Sequence, residues 1–308
     1  MVMSDSMHAP VAERATPART GASLGMTVRD LAALTKPRIT VIVLATAGAG
    51  LLAAPGKIGG FRAVLALLGT VLIVASANAL NMWWERETDG LMKRTRTRPL
   101  PAARMAPELA LVFGLALGAI SIPLLFAVNA LTGALGVLAL VTYVAIYTPL
   151  KRHTTLALLI GAVPGAMPPL MGWTSVTGRA DAGGLVLFGV LFLWQLPHFM
   201  AIALFRMDEY TRAGLKVVPA VRGERAAKWM ILGYTVLLVA MSVLLVPYRV
   251  AGSAYFVAAV VLGAAFLGLG IYGLLRKAGD VWAKGVFGYS ILYLVLLLST
   301  MLMDRVAV

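Results

Sequence analysis

Ala63-Val64-Leu65-Ala66-Leu67-Leu68-Gly69-Thr70-Val71-Leu72-Ile73-Val74-Ala75-Ser76-Ala77-Asn78-Ala79-Leu80-Asn81-Met82-Trp83-Trp84 runs directly into Glu85-Arg86-Glu87-Thr88-Asp89. A helix needs ~20 predominantly apolar residues to cross a bilayer, and this stretch has that length before its charges begin. The same reading finds runs at roughly 39–54, 62–84, 108–128, 130–149, 155–173, 183–205, 228–247, 251–275 and 282–303, which predicts nine transmembrane helices. With 60% hydrophobic and only 13% charged residues, the chain is expected to be an all-α polytopic membrane protein with most of its length in lipid.

Working outward, residues 1–25, rich in Ala, Thr and Pro, read as a disordered cytoplasmic tail, and 26–308 as a single transmembrane domain. Met26 to Leu34 forms a short interfacial helix ended by Pro37. The first apolar run begins near Ile39 rather than after a short basic segment, so no cleavable signal peptide is expected. Asp5 and Glu13 count against an organellar transit peptide, leaving a bacterial inner membrane as the expected location.

The net charge of +14 suggests nucleic acid only if basic residues share a solvated surface. Here they sit in short connections between apolar runs, so no nucleic-acid partner is expected; the partner is the bilayer. With a cytoplasmic amino terminus, every basic residue except Lys57, Arg62, Arg179, Arg249 and Arg305 falls on the cytoplasmic side. That asymmetry predicts an odd number of spans with the carboxyl terminus outside. Cys is absent, which excludes disulfides, thiolate metal sites and cysteine nucleophiles. No glycine-rich loop precedes a helix with Lys-Ser or Lys-Thr, so nucleoside triphosphate use is unsupported.

Two cytoplasmic connections are long, roughly 85–107 and 206–227, and long loops in compact proteins are more often functional than short ones. Each follows the second helix of a four-helix group, which hints at an internal repeat with two loops meeting over one cavity. Five of the thirteen acidic residues lie here: Glu85, Glu87, Asp89, Asp208 and Glu209. A carboxylate at membrane depth costs roughly 2.5–3.5 kcal/mol, so clustered carboxylates point to function, the alternative being a solvated helix end. Asn78, Asn81, Glu85 and Asp89 follow steps of three, four and four, which lines them along one helical face. Glu87 lies off that face and reads as a surface charge.

Lys93-Arg94-Thr95-Arg96-Thr97-Arg98-Pro99 follows at once, four basic residues within six positions. Retention of basic residues on the cytoplasmic side explains these cations but not the carboxylates beside them. Both signs together suit a Mg²⁺–diphosphate, whose metal takes hard oxygen ligands and whose phosphate oxygens take Arg and Lys. Arg206-Met207-Asp208-Glu209-Tyr210-Thr211-Arg212 repeats the mixture in weaker form, enough for a second metal or for orienting the same one. Pro164, Pro168 and Pro169 imply a bent fifth span, and Gly161, Gly165 and Gly172 close helix packing. His198, beside Pro197 and one turn from Gln195, is either a packing residue or a substrate contact; His8 and His153 carry no stated role.

Leu34-Thr35-Lys36-Pro37-Arg38, the run from Asn78 through Arg98-Pro99-Leu100, Pro168-Pro169 to Gly172-Trp173, and Trp194-Gln195-Leu196-Pro197-His198-Phe199 resemble the haem-modifying branch of the UbiA superfamily of intramembrane prenyltransferases. The resemblance covers roughly residues 30 to 300. It implies nine helices around a central cavity, a count reached above independently. It implies that Asn81, Glu85, Asp89, Asp208 and Glu209 hold Mg²⁺, with Asn81, Glu85, Asp89 and Glu209 catalytic. Lys93, Arg94, Arg98, Lys151, Arg152 and Arg212 would hold the diphosphate, and His198 and Gln195 would contact the acceptor. Where quinone and chlorophyll branches show Asn-Asp, this chain has Asn81-Met82; where relatives show Asn-Ile in the fifth span, it has Ala157-Leu158. A usual Lys-Asp-Tyr appears as Asp208-Glu209-Tyr210, so Glu209 takes the Asp role.

The implied reaction moves the farnesyl group of farnesyl diphosphate to a vinyl carbon of haem b with addition of water. A downstream haem-modifying enzyme or an oxidase-assembly protein is the partner such a product implies. The rivals are a sister prenyltransferase using an aromatic acid or quinone precursor, and a membrane transporter built from bent helices and charged loops. A transporter has no need for both acidic clusters on one membrane face.

Overall fold

The structure, a computed structural model, describes residues 24–276 and 278–306. The tail expected over 1–25 therefore lies, as far as residue 23, outside the described residues. In chain order the helices are α1 Leu24–Leu34, α2 Pro37–Ala53, α3 Gly60–Trp84, α4 Arg86–Gly90, α5 Pro107–Val128, α6 Ala130–Val141, α7 Thr148–Leu150, α8 Ala157–Thr177, α9 Ala182–Phe205, α10 Met207–Arg212, α11 Val218–Arg222, α12 Glu224–Val243, α13 Ser253–Leu275 and α14 Asp280–Met303. A π-helical turn over Thr142–Tyr147 joins α6 to α7, so Ala130–Leu150 acts as one span.

Eight of these helical segments are long and apolar enough to cross a membrane unaided. At 17 residues, α2 spans only about 25 Å; it reaches the count of nine as a pair with the end of α1, bent by 51°. Pro37 causes the break. The residue before a proline is driven out of the right-handed helical region, and Lys36 sits at φ 52°, ψ 70°. The nine sequence-predicted runs each coincide with one of the nine segments, most boundaries moving by only a few residues.

Burial separates inner from outer helices. Most of α9 is buried along its length, whereas most of α5 and α13 is not. α9 lies against α8, α12 and α14, while α3 packs mainly on α5 and α2 mainly on α8. Val112, Leu115, Val257 and Val261 on the outer helices stay exposed, as expected of side chains facing lipid rather than water.

The α2–α8 crossing is close enough to require glycine on both sides. A Cβ on Gly50 would land within the Pro169 carbonyl, and one on Gly172 within the Ala47 carbonyl. Gly161 abuts the Tyr147 ring and Gly165 the Gln195 amide, so all three glycines read as packing residues have that role. α8 runs as one helix through Pro164, Pro168 and Pro169. Beyond α14, Gly252 N–H donates to the Asp304 carbonyl at 2.8 Å, and Arg305 Nη1 to the Leu52 carbonyl at 3.1 Å. These bonds tie the ends of α2, α13 and α14 together, opposite the two long loops.

Candidate active site

The end of α3 sets the first part of the site. Glu85 leaves helical geometry at φ −92°, ψ 8°, yet its N–H donates to the Asn81 carbonyl at 2.9 Å and the Asp89 N–H to the Glu85 carbonyl at 2.8 Å. The four-residue steps read from the sequence are therefore kept across the break into α4. Asn81 and Asp89 are each 2% exposed, whereas Glu87 is exposed and only loosely paired with Arg86, at 3.9 Å.

Each carboxylate has its own cation. Lys151 Nζ lies 2.9 and 3.0 Å from the two Glu85 oxygens. Arg98 Nη1 donates to Asp89 Oδ2 at 2.6 Å. Glu209, buried at the start of α10, accepts from Arg206 Nη1 at 3.3 Å and from the Arg94 backbone N–H at 3.0 Å. That last bond joins the two long loops, as expected of loops closing over one site.

Asn81 is held from three sides. Its Nδ2 donates to Glu85 Oε2 and to Thr148 Oγ1, both at 3.0 Å, and its Oδ1 accepts from Lys36 Nζ at 3.3 Å. The Thr148 hydroxyl gives its single proton to the Tyr143 carbonyl at 2.8 Å, so toward Asn81 it can only accept. The π-turn supplies this geometry: Pro149 has no N–H and disfavours a regular α-turn behind it. Thr148 N–H bonds instead to Tyr143 five residues back. The same turn sets Tyr143 and Tyr147 side by side, ring centroids 5.3 Å apart, with Lys151 Nζ 4.4 Å above the Tyr147 ring.

Lys36 lies among Arg98, Lys151, Glu85 and Asp89 at the break between α1 and α2.

Not every sequence-predicted residue joins this group. Lys93, Arg94, Arg152 and Arg212 have exposed side chains around it, and Asp208 is exposed on the outer side of α10 beside Thr211 and Arg212. Among the described residues no three His, Asp or Glu side chains stand close enough to hold a metal by themselves. The donor set nonetheless fits Mg²⁺, which is held by one or two carboxylates together with substrate phosphates and water. Oxygen donors and cations alternate here as a metal–diphosphate requires.

Deeper in α9, His198 Nδ1 is 2.7 Å from Ser290 Oγ, and its ring is flanked by Trp194 and Phe287. Gln195 is committed elsewhere: Nε2 donates to the carbonyls of Ala162 at 3.2 Å and Leu191 at 3.0 Å, bracing α9 on α8. Sequence reasoning assigned no role to Lys36, Thr148, Tyr143, Tyr147 or Ser290. Tyr147 and Lys151 carried a usable signal, a four-residue spacing that stacks them on one face.

The UbiA prenyltransferase family model matches residues 41–296. The chain is 62% identical over 239 residues to the protoheme IX farnesyltransferase of Sorangium cellulosum (strain So ce56), covering 77% of this chain and 85% of that one. It is 50% identical over 285 residues to the enzyme of that name from Myxococcus xanthus (strain DK1622), covering 92% and 97%. Among solved structures, a UbiA homolog from Archaeoglobus fulgidus bound to GPP and Mg²⁺ shares the fold with TM-score 0.62 at 15% identity, covering 88% of this chain and 99% of that one. A digeranylgeranylglyceryl phosphate synthase shares it with TM-score 0.78, also at 15% identity, covering 90% and 98%.

Proposed function

The chain belongs to the UbiA prenyltransferase family and, within it, to the protoheme IX farnesyltransferases, and from that premise we propose that it transfers the farnesyl group of farnesyl diphosphate to a vinyl group of haem b. The supporting observation is the joining of two acidic loops, far apart in sequence, by the Arg94–Glu209 hydrogen bond, with a cation against each of Glu85, Asp89 and Glu209. The C1–O bond of farnesyl diphosphate breaks and its electron pair leaves with diphosphate. The vinyl π pair forms the new bond to C1, and the cation left on the haem side takes the oxygen of water, which loses a proton. The product is a hydroxyethylfarnesyl haem, haem O.

Mg²⁺ bound with the diphosphate would supply positive charge to the departing oxygens; the Archaeoglobus homolog is bound to GPP and Mg²⁺. Asn81, Glu85, Asp89 and Glu209 are the residues that would hold it; Asp208, exposed on the outer side of α10, stands apart from them. Lys151 and Arg98, paired with Glu85 and Asp89 at rest, turn to the leaving group together with Lys36. Lys93, Arg94, Arg152 and Arg212 ring the entrance and draw the anion in. The apolar helices take the farnesyl tail and limit water around the allylic cation. His198 and Gln195 are the proposed acceptor side, His198 by contact and Gln195 by fixing α9.

The basic residues around this end of the bundle support a cytoplasmic-facing site in a bacterial inner membrane, with the amino terminus inside and the carboxyl terminus outside. A hydrophobic product of this kind needs a downstream haem-modifying enzyme or an oxidase-assembly protein to receive it.

The test is incubation of the purified protein with haem b, farnesyl diphosphate and Mg²⁺, followed by mass analysis of the extracted haem. A farnesylated, hydrated product that disappears with chelator is expected. Diphosphate release only with an aromatic acceptor would overturn the haem assignment, and no release with any acceptor would favour transport.

A further inference from the structure

Ser290 is fully buried on α14 and its hydroxyl carries one proton. Oγ lies 2.6 Å from the Phe287 carbonyl, which can only accept, so the proton is spent there. At 2.7 Å from His198 Nδ1 the same oxygen must accept, and Nδ1 therefore carries the imidazole hydrogen. No carboxylate pairs with His198 among the described residues, and its surroundings are aromatic, conditions that keep the ring neutral. A neutral ring protonated on Nδ1 has its free lone pair on Nε2.

Nε2 takes no hydrogen bond among the described residues, yet it is not one of their fully covered polar atoms left without a partner. Nε2 thus keeps some accessible area on a residue that is 8% exposed overall. The ring around it cannot turn freely. Trp194 stacks on it at 4.8 Å with 26° between planes, Phe287 lies at 4.7 Å and 35°, and Phe199 meets it edge-on at 5.2 Å. Trp194 stacked on the imidazole and Phe287 tilted against it leave a planar ligand less room to stack there than to approach along the ring plane, toward Nε2. For a porphyrin containing iron, that is the geometry of axial ligation.

We infer that His198 Nε2 is an axial ligand for the iron of the acceptor haem, and that Ser290 is the positioning residue that holds the imidazole in the form able to ligate. The inference rests on the haem reading given above. Coordination moves no proton and no electron: the Nε2 lone pair fills one axial position and Nδ1 keeps its hydrogen. His198 lies seven residues before the end of α9, about 10 Å along its axis, with Glu209 just beyond. An iron anchored there lets the porphyrin edge, where the vinyl groups lie, extend toward the diphosphate loops.

The test is an absorbance titration of the full chain in detergent with ferric haem b and, in parallel, metal-free protoporphyrin IX. The wild type is expected to bind haem more tightly than protoporphyrin and to give an imidazole-ligated spectrum. His198→Gly should lose both the preference and the spectrum while still binding protoporphyrin, and added imidazole should restore the spectrum. Ser290→Ala should weaken haem binding by roughly 10-fold, the size of effect seen when a ligand's outer hydrogen bond is removed, without changing protoporphyrin binding. Equal weakening of both porphyrins by Ser290→Ala would make Ser290 a packing residue and overturn its part. Farnesylated haem formed with no imidazole-ligated spectrum would overturn the ligation alone. No binding of either porphyrin and no haem product would overturn the haem reading, and this inference with it.

Discussion

The Arg94 backbone N–H donates to Glu209 Oε1 at 3.0 Å, across 115 residues of sequence. A main-chain donor cannot be removed by side-chain substitution, so the bond is tested from the carboxylate. Glu209→Gln keeps an oxygen for Arg94 and preserves the loop junction, but loses the charge that faces Arg206 and that Mg²⁺ needs. Folding should persist, with turnover lower by roughly 10²-fold, comparable to losing one electrostatic contact to a departing group. Haem product measured by mass at saturating Mg²⁺ checks this; near-normal turnover would remove Glu209 from the metal set.

Asp89 and Arg98 test pairing against catalysis. Asp89 is buried and Arg98 is its ion-pair partner. Arg98→Met removes the direct partner of a buried carboxylate and leaves it only the more distant Lys36, a change that costs up to about 3–5 kcal/mol and should appear as a lower thermal midpoint in detergent. Adding Asp89→Asn should recover much of that stability, because the unpaired charge is gone, while turnover stays absent. Asp89→Ala alone should remain inserted and inactive. Recovery of activity in the double variant would show that the pair serves only the fold.

The reach of the sequence follows from which contacts are local. All nine apolar runs and the break at Pro37 are legible because they depend on neighbouring residues. The Asn81–Glu85–Asp89 face is legible because three- and four-residue steps survive even where α3 breaks at Glu85. Thr148 and Ser290 were not, because their partners come from other spans: Thr148 meets Asn81 across 67 residues and Ser290 meets His198 across 92. Lys36 stood inside Leu34-Thr35-Lys36-Pro37-Arg38, a motif that carries the resemblance, but nothing local tied its ammonium to Asn81, 45 residues on. Gln195 shows the converse: intramembrane polarity singled it out, and the structure uses its amide to hold two backbone carbonyls.

Thr148 should control how Asn81 presents itself. With its proton given to the Tyr143 carbonyl, Thr148 Oγ1 accepts from Asn81 Nδ2 and keeps Oδ1 toward Lys36. A flipped amide would face Thr148 and Glu85 with an oxygen, opposing two acceptors. Thr148→Val keeps the shape and removes this constraint, so the Mg²⁺ concentration needed for half-maximal binding of a non-reacting farnesyl thiodiphosphate should rise several-fold. Thr148→Ser should bind like the wild type. Calorimetry reads both, and equal behaviour of Val and Ser would assign the position to packing.

Gly50 and Gly172 test the close helix crossing behind the site. Each faces the backbone of the opposing helix, Gly50 at Pro169 and Gly172 at Ala47, so an added methyl meets main chain rather than a movable side chain. Small-to-large changes in packed interiors cost about 1–3 kcal/mol even where side chains can shift, and here α2 must separate from α8. Gly50→Ala and Gly172→Ala should each lower the thermal midpoint, and the double variant should cost less than the sum because one displacement relieves both contacts. Gly48 has open space at its Cβ position, so Gly48→Ala on the same helix should leave the midpoint unchanged. A drop at Gly48 equal to that at Gly50 would trace the loss to helix α2 itself rather than to its contact with α8.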